Sequence, residues 1–318
     1  MSTPQVHFSM DSAQGRFGPC ALAIGNFDGV HRGHQALLNT TCEYARQHKL
    51  HPAVLTSHPH PAVFVAPHRV PELICGLEDR VRLLGEAGAE HILVLPFNEH
   101  LALFTPQEFV SQILVKGLHT QAVIVGENFR FGHRQAGDTR TLRELGQLHE
   151  FATQFLPPVS YRGQLVSSSA IRKSIDSGNV SFAGRLLGRC FFLEGDIVKG
   201  HGIGSQQTVP TLNLRPPKGQ IIPRGVYVTE TFDSSTGRLW PSITNAGTRP
   251  TFNGNELTVE TFLLAPLDGP TPGRIQVRFR RFIRNEQYFA DAASLKSQIL
   301  LDVGRAKSFW SRVVPGSL

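Results

Sequence analysis

The pattern of apolar residues changes once along the chain, and this change limits the possible folds most. From about residue 20 to residue 160, short apolar runs alternate with longer stretches at helical spacing, which predicts a parallel sheet covered by helices. Strands are predicted at residues 21–25, 53–56, 92–96 and 122–126, and helices at residues 34–48, 78–87 and 106–115. Such a doubly wound sheet binds ligands beyond the C-terminal ends of its strands.

A second pattern follows two short helices predicted at residues 167–177 and 180–188. Runs rich in β-formers, separated by Gly/Pro-rich turns, occupy residues 191–199, 225–232, 239–245, 257–264 and 274–282. They predict an antiparallel β-barrel, and residues 290–303 have the apolar spacing of a helix that closes it. We therefore predict a mixed α/β protein of two domains, residues 1–185 and 186–318.

The composition is that of a soluble globular protein, with 40% hydrophobic and 18% charged residues. We expect a cytoplasmic protein without membrane contact, because no run approaches roughly 20 apolar residues and the first residues lack the layout of a secretory signal. The four cysteines form no C-x-x-C pair. A formal charge of +7 favours anionic partners, but the basic residues are scattered, which favours small anionic ligands over nucleic acid.

The most informative segment is GNFDGVHRGHQALL at residues 25–38. A buried strand ends there in a glycine-rich turn, and a helix follows with His31 and His34 on one face of its first turn. Backbone N–H groups at such a place approach a phosphate, and imidazoles donate to the charge that develops on it. The segment predicts phosphoryl or nucleotidyl transfer, although an isolated H-x-G-H can also be a glycine turn with two exposed histidines or a metal pair. No G-x-x-x-x-G-K-[ST] segment is present, which disfavours a P-loop mechanism.

This segment resembles the H-x-G-H nucleotidyltransferase superfamily, and its longer G-x-F-D-G-x-H-x-G-H form is similar to prokaryotic FAD synthetase. The resemblance implies that His31 and His34 are catalytic. It also implies that the ATP phosphates are bound by Gly25, Phe27, Asp28 and Gly29.

Three later segments are similar to the same family, in the same order. HPHP at residues 58–61 resembles its Pro-His-Pro turn and implies a flavin or nucleotide contact for His60, although Ser57 and His58 replace the usual aromatic and acidic residues. VSSSAIR resembles I-S-S-T-x-I-R, with Ser169 in place of threonine. GENFRFGHRQAGD implies FMN or nucleotide binding by Asn128, Arg130 and Asp138, and VSSSAIR implies ATP phosphate binding by Ser168, Ser169 and Arg172.

The second half carries a glycine-rich loop followed by Pro-Thr-Leu-Asn at residues 210–213. The hydroxyl of Thr211 and the amide oxygen of Asn213 are hard ligands that suit Mg²⁺. The motif P-T-x-N, GVYV at residues 225–228 and NAGTRPTFNGNELTVETFLL at residues 245–264 resemble riboflavin kinase. That resemblance implies Glu260 as the general base, Thr211 and Asn213 as metal ligands, and an ATP site formed by Gly200, Gly204 and Thr211.

Both halves together identify the chain as a member of the prokaryotic bifunctional riboflavin kinase/FMN adenylyltransferase family. The family implies phosphorylation of riboflavin to FMN in the barrel and adenylylation of FMN to FAD plus pyrophosphate in the N-terminal domain. The substrates are then ATP, riboflavin and FMN, with Mg²⁺ and without a tightly bound prosthetic group. We expect small-molecule partners and no nucleic acid, and the sequence leaves a homo-oligomer open.

Two departures from the kinase pattern keep alternatives open. The loop has Gly204-Ser205-Gln206-Gln207-Thr208-Val209 where the family commonly has G-R-x-L-G-F before Pro-Thr, and Phe262 and Ala265 replace a histidine and an aspartate. One alternative is therefore an FAD synthetase whose barrel is a riboflavin-binding or structural module. The second, prompted by the basic charge, is an RNA-binding or tRNA-related protein that shares the H-x-G-H fold.

Overall fold

The computed structural model describes residues 3–198, 211–251, 254–267 and 269–313. The chain divides into two compact units, Met1–Ser167 and Ser168–Leu318. The domain boundary predicted after residue 185 stays a prediction. In the described ranges, no helix has both the length and the apolar character required to span a bilayer.

The first unit is built on a parallel sheet of six strands in the order β1-β4-β3-β2-β5-β6. A separate two-stranded hairpin, β7–β8, follows the sheet. The strands are β1 (Gln5–His7), β2 (Cys20–Ile24), β3 (His51–His58), β4 (His91–Pro96), β5 (Thr120–Gly126), β6 (Ala152–Leu156), β7 (Ser160–Tyr161) and β8 (Gln164–Leu165). Because the chain runs from β2 outward to β3 and later returns to add β5 on the other side of β2, the carboxyl end of β2 is the switch point of the sheet.

Helices cover this sheet on both sides, so its central strand reads as an uninterrupted apolar run. All five residues of β2 are buried, as expected of a parallel strand covered on both faces. A π-helical segment, Phe109–Gly117, continues α6. The helices of the first unit are α1 (Met10–Ala13), α2 (Arg32–His48), α3 (Ala62–Val65), α4 (Leu77–Glu86), α5 (Glu99–Ala102), α6 (Pro106–Glu108) and α7 (Thr139–Leu148).

The second unit begins with two short helices and continues as a closed antiparallel barrel. Its six strands follow the order β10-β13-β12-β11-β14-β9, and β9 closes the barrel because it pairs with both β10 and β14. The elements are α8 (Ser168–Asp176), α9 (Val180–Leu187), β9 (Phe191–Val198), β10 (Thr211–Leu214), β11 (Gly225–Phe232), β12 (Leu239–Thr251), β13 (Gly254–Leu263), β14 (Arg274–Arg284) and α10 (Ala292–Val313). The predicted fold class, a parallel sheet followed by an antiparallel barrel, is confirmed.

The two faces of the barrel strands bury different kinds of side chain, apolar on one face and hydroxyl-bearing on the other. On one face, Ala306 and Trp310 of α10 pack against Val226, Val228 and Ile243, so α10 closes the barrel as predicted. On the alternate face, fully buried hydroxyls form a hydrogen-bonded chain across three strands. Its members, from β11 through β12 to β13, are Thr229, Thr231, Ser242, Thr244 and Thr261.

Candidate active sites

The loop between β2 and α2 has an unusual backbone. Phe27, Gly29 and Val30 have φ angles of 50°, 79° and 37°, all in the left-handed region. Residues other than glycine adopt this region at a cost of about 1–3 kcal/mol, and such residues cluster at functional sites. At Gly29 a Cβ atom would lie 2.8 Å from Cγ2 of Ile74, so this position requires glycine for its conformation and for its space.

The two histidines of the motif lie together at the start of α2. His31 is the N-cap residue, and its Nδ1 accepts a hydrogen bond from the backbone N–H of His34 at 3.3 Å. The two imidazole rings stack with centroids 3.6 Å apart and planes 13° apart. A Cβ at Gly33 would lie 3.2 Å from the His31 ring, so the glycine between the histidines leaves room for this stack. The structure therefore brings His31 and His34 together as the motif predicts.

Asp28, which the family resemblance assigns to phosphate binding, is buried, and its carboxylate bonds to the backbone of the protein. Its carboxylate accepts hydrogen bonds from the backbone N–H groups of Ile74, at 2.9 Å, and Cys75, at 3.3 Å. These bonds hold the segment before α4 against the loop. A contact of Asp28 with phosphate stays a prediction.

The turn that follows β3 also reaches this loop. The Ser57 hydroxyl donates to Oδ1 of Asn26 at 3.3 Å, and Nε2 of His60 lies 3.3 Å from the Asn26 amide nitrogen. His60 Nδ1 accepts from the backbone N–H of Ala62 at 3.1 Å. His60 is therefore placed beside the H-x-G-H loop, which supports its predicted location at the site.

Sequence analysis missed Arg80, whose side chain contacts both of these loops. It lies on α4, is only 2% exposed, and its Nη1 is 3.1 Å from the carbonyl oxygens of Asn26 and Ser57. A signal was present in the sequence, since Arg80 stands three and four residues before Leu83 and Leu84 on the buried face of α4. A charged residue on such a face indicates a specific buried role.

The loop after β5 holds the next three predicted residues. Asn128 is exposed, two residues beyond β5, which is a neighbour of β2 in the sheet. Arg130 pairs with Asp138 at 3.2 Å. Asp138 is the N-cap of α7, and its hydrogen bonds with Thr141 are the main reason that its pKa is lowered. The structure thus joins Arg130 and Asp138 to each other, and their contacts with flavin or nucleotide stay predictions.

The predicted triphosphate-binding residues lie on the first helix of the second unit. Ser168 is the first residue of α8, Ser169 is exposed, and Arg172 is half-buried one turn further on. Hydroxyls and N–H groups at a helix start suit an anion. Their role in binding ATP stays a prediction.

Strand register brings together three predicted residues of the barrel. Asn213 of β10 is the direct partner of Glu260 on β13, and Thr211 is two residues from Asn213 on the same strand face. Thr211 is exposed, whereas Asn213 and Glu260 are half-buried. Gly200, Gly204 and residues 205–208, which differ from the kinase family pattern, lie outside the described residues. Phe262, which replaces the histidine of the family pattern, packs against the core cluster that α10 forms with β11 and β12.

The first unit is a parallel sheet with paired imidazoles at its switch point. The second is a barrel that presents a carboxylate and two neutral oxygen ligands. These features together are those of a nucleotide-dependent transferase. Comparison with known proteins agrees for both units. Residues 14–170 match the family model for FAD synthetase, and residues 187–310 match the model for riboflavin kinase. The chain belongs to the bifunctional riboflavin kinase/FMN adenylyltransferase family, so the family predicted from its motifs is confirmed.

Relatives of this family align with nearly the whole chain. The bifunctional riboflavin kinase/FMN adenylyltransferase of Escherichia coli (strain K12) is 36% identical over 297 residues, which are 93% of this chain and 94% of the relative. The protein of the same description from Pseudomonas fluorescens is 34% identical over 91% of this chain and 92% of its own length. A crystal structure described as a macrolide-efflux protein from Streptococcus pneumoniae superposes with a TM-score of 0.84 at 25% identity, covering 96% of this chain and 99% of that one.

Proposed function

We propose that the chain makes FAD from riboflavin in two ATP-dependent steps, with the kinase step in the barrel and the adenylyl transfer at the H-x-G-H loop. Membership of the bifunctional family, with a match to both domain models, supports this function. The single observation that carries the adenylyl-transfer step is the stacked pair of His31 and His34 at the switch point of the sheet.

The hydrogen bonding of His31 assigns a proton to one of its ring nitrogens. Because Nδ1 accepts from the backbone N–H of His34, a neutral His31 ring carries its proton on Nε2. We propose that this N–H donates to a phosphate oxygen at the start of α2, where the helix dipole also favours negative charge. His34 lies against the same ring and adds a second imidazole.

The proposed transfer needs no covalent intermediate. A phosphate oxygen of FMN attacks the α-phosphorus of ATP, the bond between that phosphorus and the bridging oxygen of the β-phosphate breaks, and pyrophosphate leaves. His31 and His34 stabilise the charge that develops at the α-phosphate. In the first unit, backbone groups of Gly25, Phe27 and Gly29 are proposed to bind ATP phosphate at this loop. In the second unit, the start of α8 with Ser168, Ser169 and Arg172 is proposed as a phosphate-binding element in its own right.

FMN and nucleotide recognition is assigned to His60, Asn128, Arg130 and Asp138. In the structure Arg130 and Asp138 form an ion pair with side chains about half exposed. A phosphate that approaches Arg130 therefore has to share the guanidinium with Asp138 or replace it.

In the barrel, Glu260 is proposed as the general base. It accepts the proton of the terminal ribityl hydroxyl while that oxygen attacks the γ-phosphorus of ATP, and ADP leaves. Thr211 and Asn213 would hold Mg²⁺, since two neutral oxygen donors fit an ion that retains waters and binds substrate phosphates. When bound, the ion neutralises phosphate charge.

The position of Phe262 favours an active kinase over a barrel that has lost its activity. Phe262 packs with the apolar cluster under α10, and the register that pairs Asn213 with Glu260 is intact beside it. The phenylalanine that stands in place of the histidine therefore acts as a packing residue. We further propose small-molecule partners without nucleic acid, and a cytoplasmic location that matches a metabolic enzyme; the oligomeric state is left open.

Product analysis separates the functions. The protein is incubated with riboflavin, ATP and Mg²⁺, and in a second reaction with FMN, ATP and Mg²⁺. FAD in both reactions is the expected result. FAD only from FMN identifies an inactive kinase barrel, whereas no turnover together with salt-sensitive RNA binding favours the RNA-binding alternative.

A further inference from the structure

Arg80 is a buried cation that holds two loops of the adenylyl-transfer site. From α4 its Nη1 donates to the carbonyl oxygens of Asn26 and Ser57, each at 3.1 Å, and lies 3.3 Å from Oγ1 of Thr56. The Thr56 hydroxyl in turn donates to the same Asn26 carbonyl at 3.1 Å. One guanidinium nitrogen thus ties the end of β3 to the residue that directly follows Gly25.

Within the described residues, the hydrogen-bond partners of Arg80 are neutral oxygens. Across the part of the chain that the structure describes, no carboxylate pairs with Arg80, and its Nε has no acceptor. The adjacent carboxylate of Asp79 bonds instead to Arg82 at 2.6 Å. A buried charge without a counter-ion is destabilising, so packing alone does not explain an arginine at this position.

The positions of the residues that Arg80 contacts indicate why a destabilising buried charge is present here. Asn26 precedes the loop that carries His31 and His34, and its side chain meets Ser57 and His60 of the next loop. The charge is also felt at the surface of this edge, because burial and then the positive charge of Arg80 lower the pKa of the exposed His58.

We propose that Arg80 is a positioning residue of the adenylyl-transfer site, which locks the H-x-G-H loop to the end of β3 and keeps a positive charge beneath the edge where the nucleotide phosphates bind. The inference rests on the proposed function of this loop. Because Arg80 is only 2% exposed, we assign it a positioning role and not contact with the substrate. Its charge acts through a protein interior of low dielectric constant, where it is screened less than a surface charge.

The test compares two variants of the full-length protein with a matched control. Arg80→Gln removes the charge, Arg80→Lys keeps the charge but offers a single nitrogen, and Arg82→Gln removes a half-exposed charge from the same helix. The kcat and KM of FAD formation from FMN and ATP are measured for each variant. Riboflavin phosphorylation by the same molecules reports on the barrel.

For Arg80→Gln we expect kcat to fall by about tenfold to a hundredfold, the scale associated with a small misplacement of catalytic groups. The KM for ATP rises as well, because the positive charge is lost. Arg80→Lys is intermediate, while Arg82→Gln and riboflavin phosphorylation remain unchanged. NMR titration of His58 adds a readout that simple destabilisation does not move: its pKa rises in Arg80→Gln and stays low in Arg80→Lys.

A folded Arg80→Gln protein that keeps FAD formation within about twofold of the wild type overturns the inference, as does an equal loss in Arg82→Gln. If Arg80→Gln does not fold, Arg80→Lys decides, and unchanged kcat and KM in that variant also overturn it. A wild-type protein that forms no FAD from FMN contradicts the proposed function instead, so the two failures are distinguishable.

Discussion

Asn213 and Glu260 stand directly opposite each other in the antiparallel pair of β10 and β13. Side chains of directly paired residues lie on the same face of a sheet, with Cβ atoms about 4.5–5.5 Å apart. An amide oxygen proposed to bind Mg²⁺ and a carboxylate proposed as the base are therefore neighbours in the barrel. The rigid strands keep them so before substrate arrives.

Replacement of Glu260 by glutamine should stop riboflavin phosphorylation. An amide cannot accept the hydroxyl proton, and loss of a general base costs about 10²–10⁴-fold in rate. Formation of FAD from supplied FMN should be unchanged, and chromatography of the flavins measures both reactions. Glu194→Gln is a matched control, because that carboxylate bonds to Gln276 and Arg274 on β14. Loss of both activities in folded Glu260→Gln protein would contradict the division into two sites.

Replacement of His31 by asparagine should separate helix capping from catalysis. Asparagine is a good N-cap residue, so α2 keeps its start, whereas an alanine there would cost about 1 kcal/mol of stability. We expect FAD formation from FMN to fall by at least about 100-fold, as when a donor to the transition state is removed. Steady-state assays and thermal unfolding are measured together.

The matched control for His31 is His51→Gln. His51 is the first residue of β3 and so lies at the amino-terminal ends of the strands, away from the H-x-G-H loop. Its Nδ1 lies 2.9 Å from Glu90 Oε2. This variant should keep full FAD formation. Retention of activity by His31→Asn would show that the imidazole is used only as a cap.

Removal of the Asp302 carboxylate should loosen α10 from the barrel. Asp302 accepts from Arg284 Nε at 2.7 Å and from Gln298 Nε2 at 2.9 Å, and both members of the ion pair are largely buried. Because Asp302→Ala leaves Arg284 buried without its partner, we expect the free energy of unfolding to fall by about 3 kcal/mol. Urea denaturation of the full-length protein measures it. Arg140→Ala, which breaks the exposed pair with Glu144, should change the value by less than about 1 kcal/mol.

Stability should decrease on mild acidification because of His91. Burial is the main cause that lowers the pKa of His91, followed by the charges of His51 and His7, whose rings lie 5.3 Å and 6.1 Å away, against an opposing effect of Glu90. The unfolded chain therefore binds this proton at higher pH than the folded protein, near the ordinary value of about 6.5. The free energy of unfolding falls as the pH drops through 6.5 toward the lower pKa of the folded protein.

Denaturation at several pH values between about 7.5 and 5 measures this effect, and His91→Gln should weaken it. The exposed His58, whose pKa is also lowered, contributes with the same sign. A wild-type protein that gains stability over this acid range would contradict the prediction.

Sequence patterns located the elements that are long or uniformly apolar. The predicted runs at residues 21–25, 53–56, 92–96 and 122–126 each overlap a strand of the sheet, the first by all but its last residue, because a strand buried on both faces carries a continuous apolar signal. The short strands β1 and β10 were missed, since Gln5–His7 and Thr211–Leu214 have three and four residues and contain polar side chains. The closing helix was predicted to end at residue 303 but continues to Val313.

The candidate sites divide in the same way. His31 and His34 could be predicted as neighbours because residues three positions apart at a helix start lie on the same side of the helix. Arg80 could not be connected with Asn26 or Ser57, because its partners are 54 and 23 residues away in the chain.

By itself, the sequence determined the class of each half and the geometry of the histidine pair, because apolar periodicity and helical spacing act between residues that are close in the chain. Only the tertiary structure decided that Asn213 faces Glu260 and that a buried arginine joins two loops. Strand register and burial depend on which distant segments pack together, and a shift of a single residue would turn Asn213 to the other face of the barrel.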